Sequence, residues 1–364
     1  MKYEITDIKH PHISGLFRIR ALKDFSDVKK GDLGGFIEKE KNLSQKGGCW
    51  IYHDAEVSDN AKIYDNAKIY NNARVYRDVW VYNNAKVSDN AIVSDNAIVY
   101  DNARVFDNAR VFDNAIVFDN AIVFDNAKIY NNARVYGDVW VYNNAQVYNK
   151  ANVYENAYVY GDAQVSDNAK VFDNARVFDN AQVFDNAQVF DNAQVYNNAK
   201  VYNKAIVYNK AIVYNKAIVF DNAKVYGNAQ VSDNAKVYGA AWVYGNTKMR
   251  DKSQVFGHAH VSGSSWIGDK TKIQGNACVK DSRVFGRTVF TGFAACAEGC
   301  DIRGDSWITG DTLLEGCAVH NTTILSGSYN KCSGPPISKT RGTVIWGNKA
   351  GEYLYCIRAA PDQL

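Results

Sequence analysis

Residues 67–85 read AKIYNNARVYRDVWVYNNA, and the spacing within that stretch decides the architecture. Ile69, Val75 and Val81 fall six apart, each two places after a small or short residue: Ala67, Ala73 or Val79. The same pattern extends in both directions. From Ile51 to Val279 an Ile or Val (once Met249) occupies every sixth position, giving 39 consecutive hexads with no insertion. The commonest unit is Asp-Asn-Ala-x-Val-Tyr/Phe. A short period held this long identifies a solenoid, in which each unit buries its apolar side only by stacking on its neighbours.

Within one hexad the side chains alternate. Ala67 and Ile69 point to one side of a strand, Lys68 and Tyr70 to the other. Asn71 and Asn72 follow at the break. Asn and Asp accept left-handed backbone angles and bond to nearby backbone, so they suit a corner. Each hexad is therefore a short strand and a turn, and three of them close a triangular coil. Stacked at about 4.8 Å, 39 hexads make about 13 coils and a prism of roughly 60 Å. A helix is excluded, because six is neither 3.6 nor 7. Disorder does not require a β-branched residue at every sixth place. A right-handed β-helix, with longer and irregular coils, is the second choice of fold.

Aliphatic, x, x, x, small, x is also the hexapeptide repeat of left-handed parallel β-helix proteins, and the chain resembles that family. Ile69 and Val75 fill the aliphatic position, Ala73 and Val79 the small one. The family often has Gly after the aliphatic residue, whereas here Tyr70, Phe106 and Ser88 are typical and Gly268 is the exception. The opening segment narrows the resemblance. Residues 18–25 (RIRALKDF), 34–38 (GGFIE) and 42–44 (NLS), running into Cys49-Trp50-Ile51, are similar to the start of bacterial and prophage hexapeptide-repeat proteins of the YdcK type, a group labelled as acyltransferases. The fold implied is all-β: a left-handed parallel β-helix, or hexapeptide-repeat β-solenoid, shaped as a triangular prism with caps.

Four segments are expected: an N-terminal cap over 1–48, regular solenoid over 49–280, degenerate coils over 281–334 and a C-terminal cap over 335–364. Residues 16–22 read as a strand and 31–36 as a tight turn. An open coil end exposes core and unpaired strand edge, so a cap is required. After Val279 the register slips, with Val284 and Val289 at spacings of five, and Ile302, Ile308 and Leu314 restore six in another phase. Pro335-Pro336 ends the pattern, and residues 337–364 read as a terminal strand pair.

The chain has 364 residues and a net charge of +3, too balanced to imply nucleic-acid binding. No apolar run is long enough for a signal peptide or membrane span, and the cytoplasm is the expected compartment. Seven Cys, at 49, 278, 296, 300, 317, 332 and 356, do not form a disulfide framework. Cys296-x3-Cys300 with Cys317, His320 and Cys332 matches no zinc spacing, and buried free Cys is the preferred reading, so no metal is expected.

Two features bear on function. Residues 67–85 recur at 127–145 with Gly137 for Arg77 as the sole change. The offset is ten hexads, not a multiple of three, so the copies should occupy different faces. One face carries an aromatic after each aliphatic: Tyr64, Tyr82, Tyr100, Phe118, Tyr136, Tyr154, Phe172, Phe190, Tyr208, Tyr226 and Tyr244. Trp80, Ile98, Ile116, Ile206 and Trp242 lie alongside. The other faces are interrupted by Ser58, Ser94 and Ser166, and by Ser88 and Ser232. Such rings stabilise neighbouring strands, but an apolar stripe this long also favours a partner, most simply another copy as a dimer or trimer.

The resemblance implies an alternative. Hexapeptide acyltransferases trimerise, bind acetyl-CoA or another acyl donor beside the coil, and use a His as general base between subunits, in a cleft walled by an inserted loop. The candidates for that base are His258, expected at a corner, His260, expected on a face, and His320. The hexads insert no loop, and no Walker loop, nucleophile elbow or paired-carboxylate signature is present. The preferred reading is a non-enzymatic scaffold without cofactor that self-associates through the aromatic face and has no nucleic-acid or membrane partner. A solenoid binding carbohydrate through the same rings is the third possibility.

Overall fold

The computed structural model describes residues 1–297, 299–316 and 318–320, the last without the His320 side chain, and then the strand backbones 323–327, 337–338, 343–347 and 355–358. The chain forms two compact units, Met1–Asn180 and Ala181–Leu364. The hexads form a parallel β-solenoid, and among the described residues the one helix is the 3₁₀ turn Glu40–Asn42.

In the first unit each hexad contributes a two-residue strand that pairs in parallel with the strand 18 residues on. Lys68 lies opposite Lys86, and Ile69 opposite Val87. Three faces result. The first runs through Glu56–Val57, Arg74–Val75 and Ile92–Val93. The second runs through Lys62–Ile63, Trp80–Val81 and Ile98–Val99. The third runs through Trp50–Ile51, Lys68–Ile69 and Lys86–Val87. The second unit repeats this scheme, for example from Ile206 to Lys224 to Trp242. The interior is mainly aliphatic, as the alternation predicts: Ala67, Ile69, Ala73 and Val75 are buried, as are their counterparts in both units, although buried Ser and Thr such as Thr247, Ser253 and Thr271 take the small position in the second unit.

Corners follow from backbone stereochemistry. Many are turns closed by one hydrogen bond, such as Ala67 N–H to the Tyr64 carbonyl at 3.3 Å. The first corner residue has a left-handed backbone, with φ of 57° at Asp65, 56° at Asn71 and 60° at Asp113. That conformation costs most residues about 1–2 kcal/mol and Asn, Asp and Gly less. Arg77 (φ 66°) and Glu155 (φ 62°) are exceptions, while Gly137 replaces Arg77 in the second copy of the duplicated segment. The two copies do lie on different faces, with Trp80 on the second and Trp140 on the third.

The cap begins with β1 (Tyr3–Lys9), which pairs antiparallel with β2 (Phe17–Ala21). β2 pairs in turn with β3 (Leu33–Ile37). The tight turn expected over 31–36 is thus mostly strand, and only Gly31, at φ 96°, belongs to the turn. Gly34 and Gly35 are there for close approach. A Cβ on Gly34 would lie 2.6 Å from Ile19 and Trp50, and one on Gly35 would lie 2.4 Å from Ile51. β3 then pairs in parallel with Glu56–Val57 and so forms the first rung of a solenoid face.

The register slips in the second unit by one-residue shortenings, the first between Val279 and Val284 and another between Leu314 and Val319. Trp266 pairs with Arg283, 17 residues on, and Lys272 with Val289. Phe290, not Val289, is the buried residue of its rung, so the spacing of six resumes at once: Val284, Phe290, Cys296, Ile302. Reading Val289 as inward put a slip at that rung, where none exists. Thr343–Gly347 and Tyr355–Arg358 form the expected terminal antiparallel pair. Cys317, Cys332 and Pro335-Pro336 lie outside the described residues, as does the side chain of His320.

Candidate functional site

The aromatic column of the second face stacks ring on ring. In the first unit Tyr64, Tyr82, Tyr100, Phe118, Tyr136, Tyr154 and Phe172 succeed each other at centroid distances of 4.7–5.1 Å and interplanar angles of 8° or less. In the second unit Phe190, Tyr208, Tyr226 and Tyr244 also stack, at 4.8–5.1 Å and angles of 13° or less. Each ring covers the face of the next, so the column presents edges. Burial raises the phenol pKa values, pushing Tyr64 and Tyr154 up to about 12.

This column is not unique. Phe106, Phe124, Tyr142, Tyr160 and Phe178 stack beside the third face, and Phe112, Tyr130 and Tyr148 beside the first. Serines that break these columns fill the gaps by bonding to the corner. Ser94 Oγ donates to Asp95 at 2.8 Å and Ser166 Oγ to Asp167 at 3.1 Å. The second face is distinguished by continuity alone.

The corners carry a second set of ladders. Asn66, Asn84, Asn102, Asn120 and Asp138 pass side-chain hydrogen bonds along one edge at 2.8–3.4 Å. The left-handed Asp residues reach forward instead. Asp113 Oδ2 accepts the Asn131 N–H at 3.0 Å, and Asp119 Oδ2 accepts that of Gly137 at 3.2 Å. An open groove of about 780 Å³ between Asp65 and Asp138 is lined by these corner groups.

Trp residues break the regularity. Trp80 and Trp140 are 45% and 42% exposed and cross their neighbours edge-on, Trp80 against Tyr64 and Trp140 against Phe124. A cation from the preceding coil lies over several: Lys62 over Trp80 at 5.2 Å, Lys224 over Trp242 at 4.8 Å and Lys248 over Trp266 at 5.0 Å.

His258 and His260 stand at the corner and on the face that the register predicts. His258 is exposed at a corner, and His260 is on a face with its ring 5.0 Å from Trp242. Across the sheet His260 is opposite Cys278, whose thiol burial pushes upward, against the pull of Lys280. Among the described residues neither His has a carboxylate partner, and no group of three or more His, Cys, Asp or Glu could hold a metal. Cys296 and Cys300 point inward and are buried.

Two cap clusters escaped the sequence reading because their members are far apart in the chain. His10 Nε2 lies 3.2 Å from Glu56, while its Nδ1 accepts the N–H groups of His12 and Ile13 at 3.1 and 3.0 Å. The buried Lys2 amine donates to the Cys49 carbonyl at 2.9 Å and lies 3.1 Å from its thiol. Burial lowers the Lys2 pKa and raises that of Cys49. Both clusters fasten the cap.

A family model described as the YdcK β-solenoid repeat matches residues 67–83, 85–101, 103–118, 127–143, 193–209 and 229–245. A protein of Escherichia coli strain K12, named uncharacterized acetyltransferase YdcK, is 44% identical over 43 residues. That stretch is 12% of this chain and spans 13% of the relative's length. Among the described residues no helix is long and apolar enough to cross a membrane. With its three-faced coil and these repeat matches, the chain is a YdcK-like β-solenoid.

Proposed function

We propose that this protein is a rigid β-solenoid scaffold that associates with copies of itself through the second face. The observation that carries this reading is the way outward groups are engaged by their own equivalents 18 residues away. Tyr82 stacks on Tyr64 and Tyr100, and Asn84 bonds to Asn66 and Asn102. Such a surface supports stiffness more than chemistry. Association is supported by the outer column of Trp80, Ile98 and Ile116, three successive apolar rungs beside the continuous aromatic column. Sedimentation tests it. The parent chain should be a dimer or trimer, and changing Phe118 and Tyr136 to Lys should release monomers that still fold. A parent chain that is monomeric at high concentration refutes association.

A second reading, transfer of an acyl group from acetyl-CoA, is supported by the name of the YdcK relative. His258 and His260 would be the candidate bases. Saturable acetyl-CoA binding by calorimetry, abolished in His258→Ala, would place this reading first. Carbohydrate stacking on the aromatic columns is the least supported, because the ring faces are already covered.

A further inference from the structure

Charge is sorted by position on the coil. In the first unit the outward mid-face residues run from Lys62 to Arg176 at intervals of six. Ten of these twenty are Lys or Arg and none is acidic, and of the two earlier rungs, Trp50 and Glu56, only Glu56 carries a negative charge. Interleaved in sequence, the acids stand instead at the corners, where many serve as acceptors. Asp107 and Asp125 accept the N–H groups of Asp125 and Asn143, and Asp89 accepts from Asn71.

The third face carries this furthest. Lys68, Lys86 and Arg104 are consecutive rungs, each directly opposite the next, at about 4.8 Å. Like charges in direct register destabilise a sheet. Asp27 neutralises Lys68 at 2.7 Å, but Lys86 and Arg104 are exposed and have no carboxylate partner among the described residues. The next rungs are Ile122, the exposed Trp140 and Tyr158, and then Arg176. A sheet with no internal need for these cations could have alternated them with Glu.

We infer that the third face of the first unit binds an acidic polysaccharide lying along the coil axis. Lys86 and Arg104 engage acid groups of the glycan, and Trp140 takes a sugar ring. One rung is close to the length of one pyranose unit in an extended chain, so successive acid groups meet successive cations. A single-stranded nucleic acid fits less well. Such strands are held by several open ring faces, and here the columns cover theirs, leaving Trp140 as the exposed aromatic of this face. This inference is independent of self-association and says what such a scaffold would carry.

Calorimetry on the full chain at physiological salt tests it. Polygalacturonate and heparin are the probes, separating carboxylate from sulfate chemistry, with neutral dextran and oligo-dT alongside. One or both acidic glycans should bind saturably and dextran should not. Lys86→Glu with Arg104→Glu should weaken binding at least about tenfold, as expected for losing and reversing two ionic contacts. Trp140→Ala should weaken it several-fold. Lys200→Glu with Lys236→Glu, an equal change of net charge in the second unit, should leave it unchanged. Melting curves establish that each variant is folded. Absence of binding to both glycans, equal loss in the two charge-reversal variants, or tighter binding of oligo-dT would each overturn the inference.

Discussion

The left-handed corner residue performs two tasks that substitution can separate. Asp113 holds φ at 60°, and its Oδ2 accepts the Asn131 N–H at 3.0 Å. Asn keeps both the tolerance for that angle and an acceptor oxygen, so Asp113→Asn should cost less than about 0.5 kcal/mol. Gly keeps only the angle, and its loss of one half-buried hydrogen bond should cost about 1 kcal/mol. Ala keeps neither. The left-handed angle adds about 1–2 kcal/mol to the lost bond, for a total of about 2–3 kcal/mol. Repeat arrays do not unfold all-or-none, so a global melt dilutes a local defect. Amide exchange at Asn131 is the sharper assay. Protection should fall in the order parent, Asn, Gly, Ala, with a loss of about 30- to 150-fold for Ala if exchange follows local opening. Ala matching Gly would show that the backbone angle carries no cost, and Asn matching Ala would show that the carboxylate bond does.

Three further outcomes are expected. Val171→Asp should destabilise the first unit by about 4 kcal/mol in urea unfolding, because an unpaired charge would enter a dry aliphatic interior; unchanged unfolding would refute the inward assignment. Phenols such as Tyr64 and Tyr154 are pushed up to about 12, above the ordinary phenol value, so their contribution to stability is complete below about pH 10 and lost as pH rises from there through about 12. Phenolate absorbance and melting temperature should change together over that window. Deleting residues 107–124 removes three hexads and leaves Phe106 to stack on Tyr142, so the melting temperature should fall by only a few degrees. Deleting 107–112 moves Trp140 off the face of Lys86 and Arg104, and glycan binding should drop although the chain folds.

The period alone made most of the fold legible, since Ala67 and Ile69 can face inward together only in a strand, and Asn71-Asn72 can follow only at a turn. What it left open required distances. Gly34 and Gly35 resemble a turn until Ile19, Trp50 and Ile51 are found against them. Val289 resembles a core residue until the shortened coil turns Phe290 inward. The His10–Glu56 and Lys2–Cys49 clusters join residues more than forty positions apart. For the candidate surface, the aromatic column was visible in the sequence, but the covering of its ring faces was not. Interleaved Asp and Lys likewise conceal that in the first unit most cations stand on faces and most acids at corners.

The duplicated segments with Trp80 and Trp140 point to how such a chain can change over generations. Near-identical reading frames of six residues invite unequal exchange between neighbouring repeats. Any gain or loss in whole hexads keeps every aliphatic residue inward and every Asp or Asn at a bend, so the product still folds. Unless the change is a multiple of 18, though, everything downstream moves to a different side. A ten-hexad copy therefore transfers one Trp-bearing motif from the second side to the third. Slippage in this gene would shuffle surfaces in the manner of a combination lock, generating new juxtapositions of cations and rings while the interior stays unaltered.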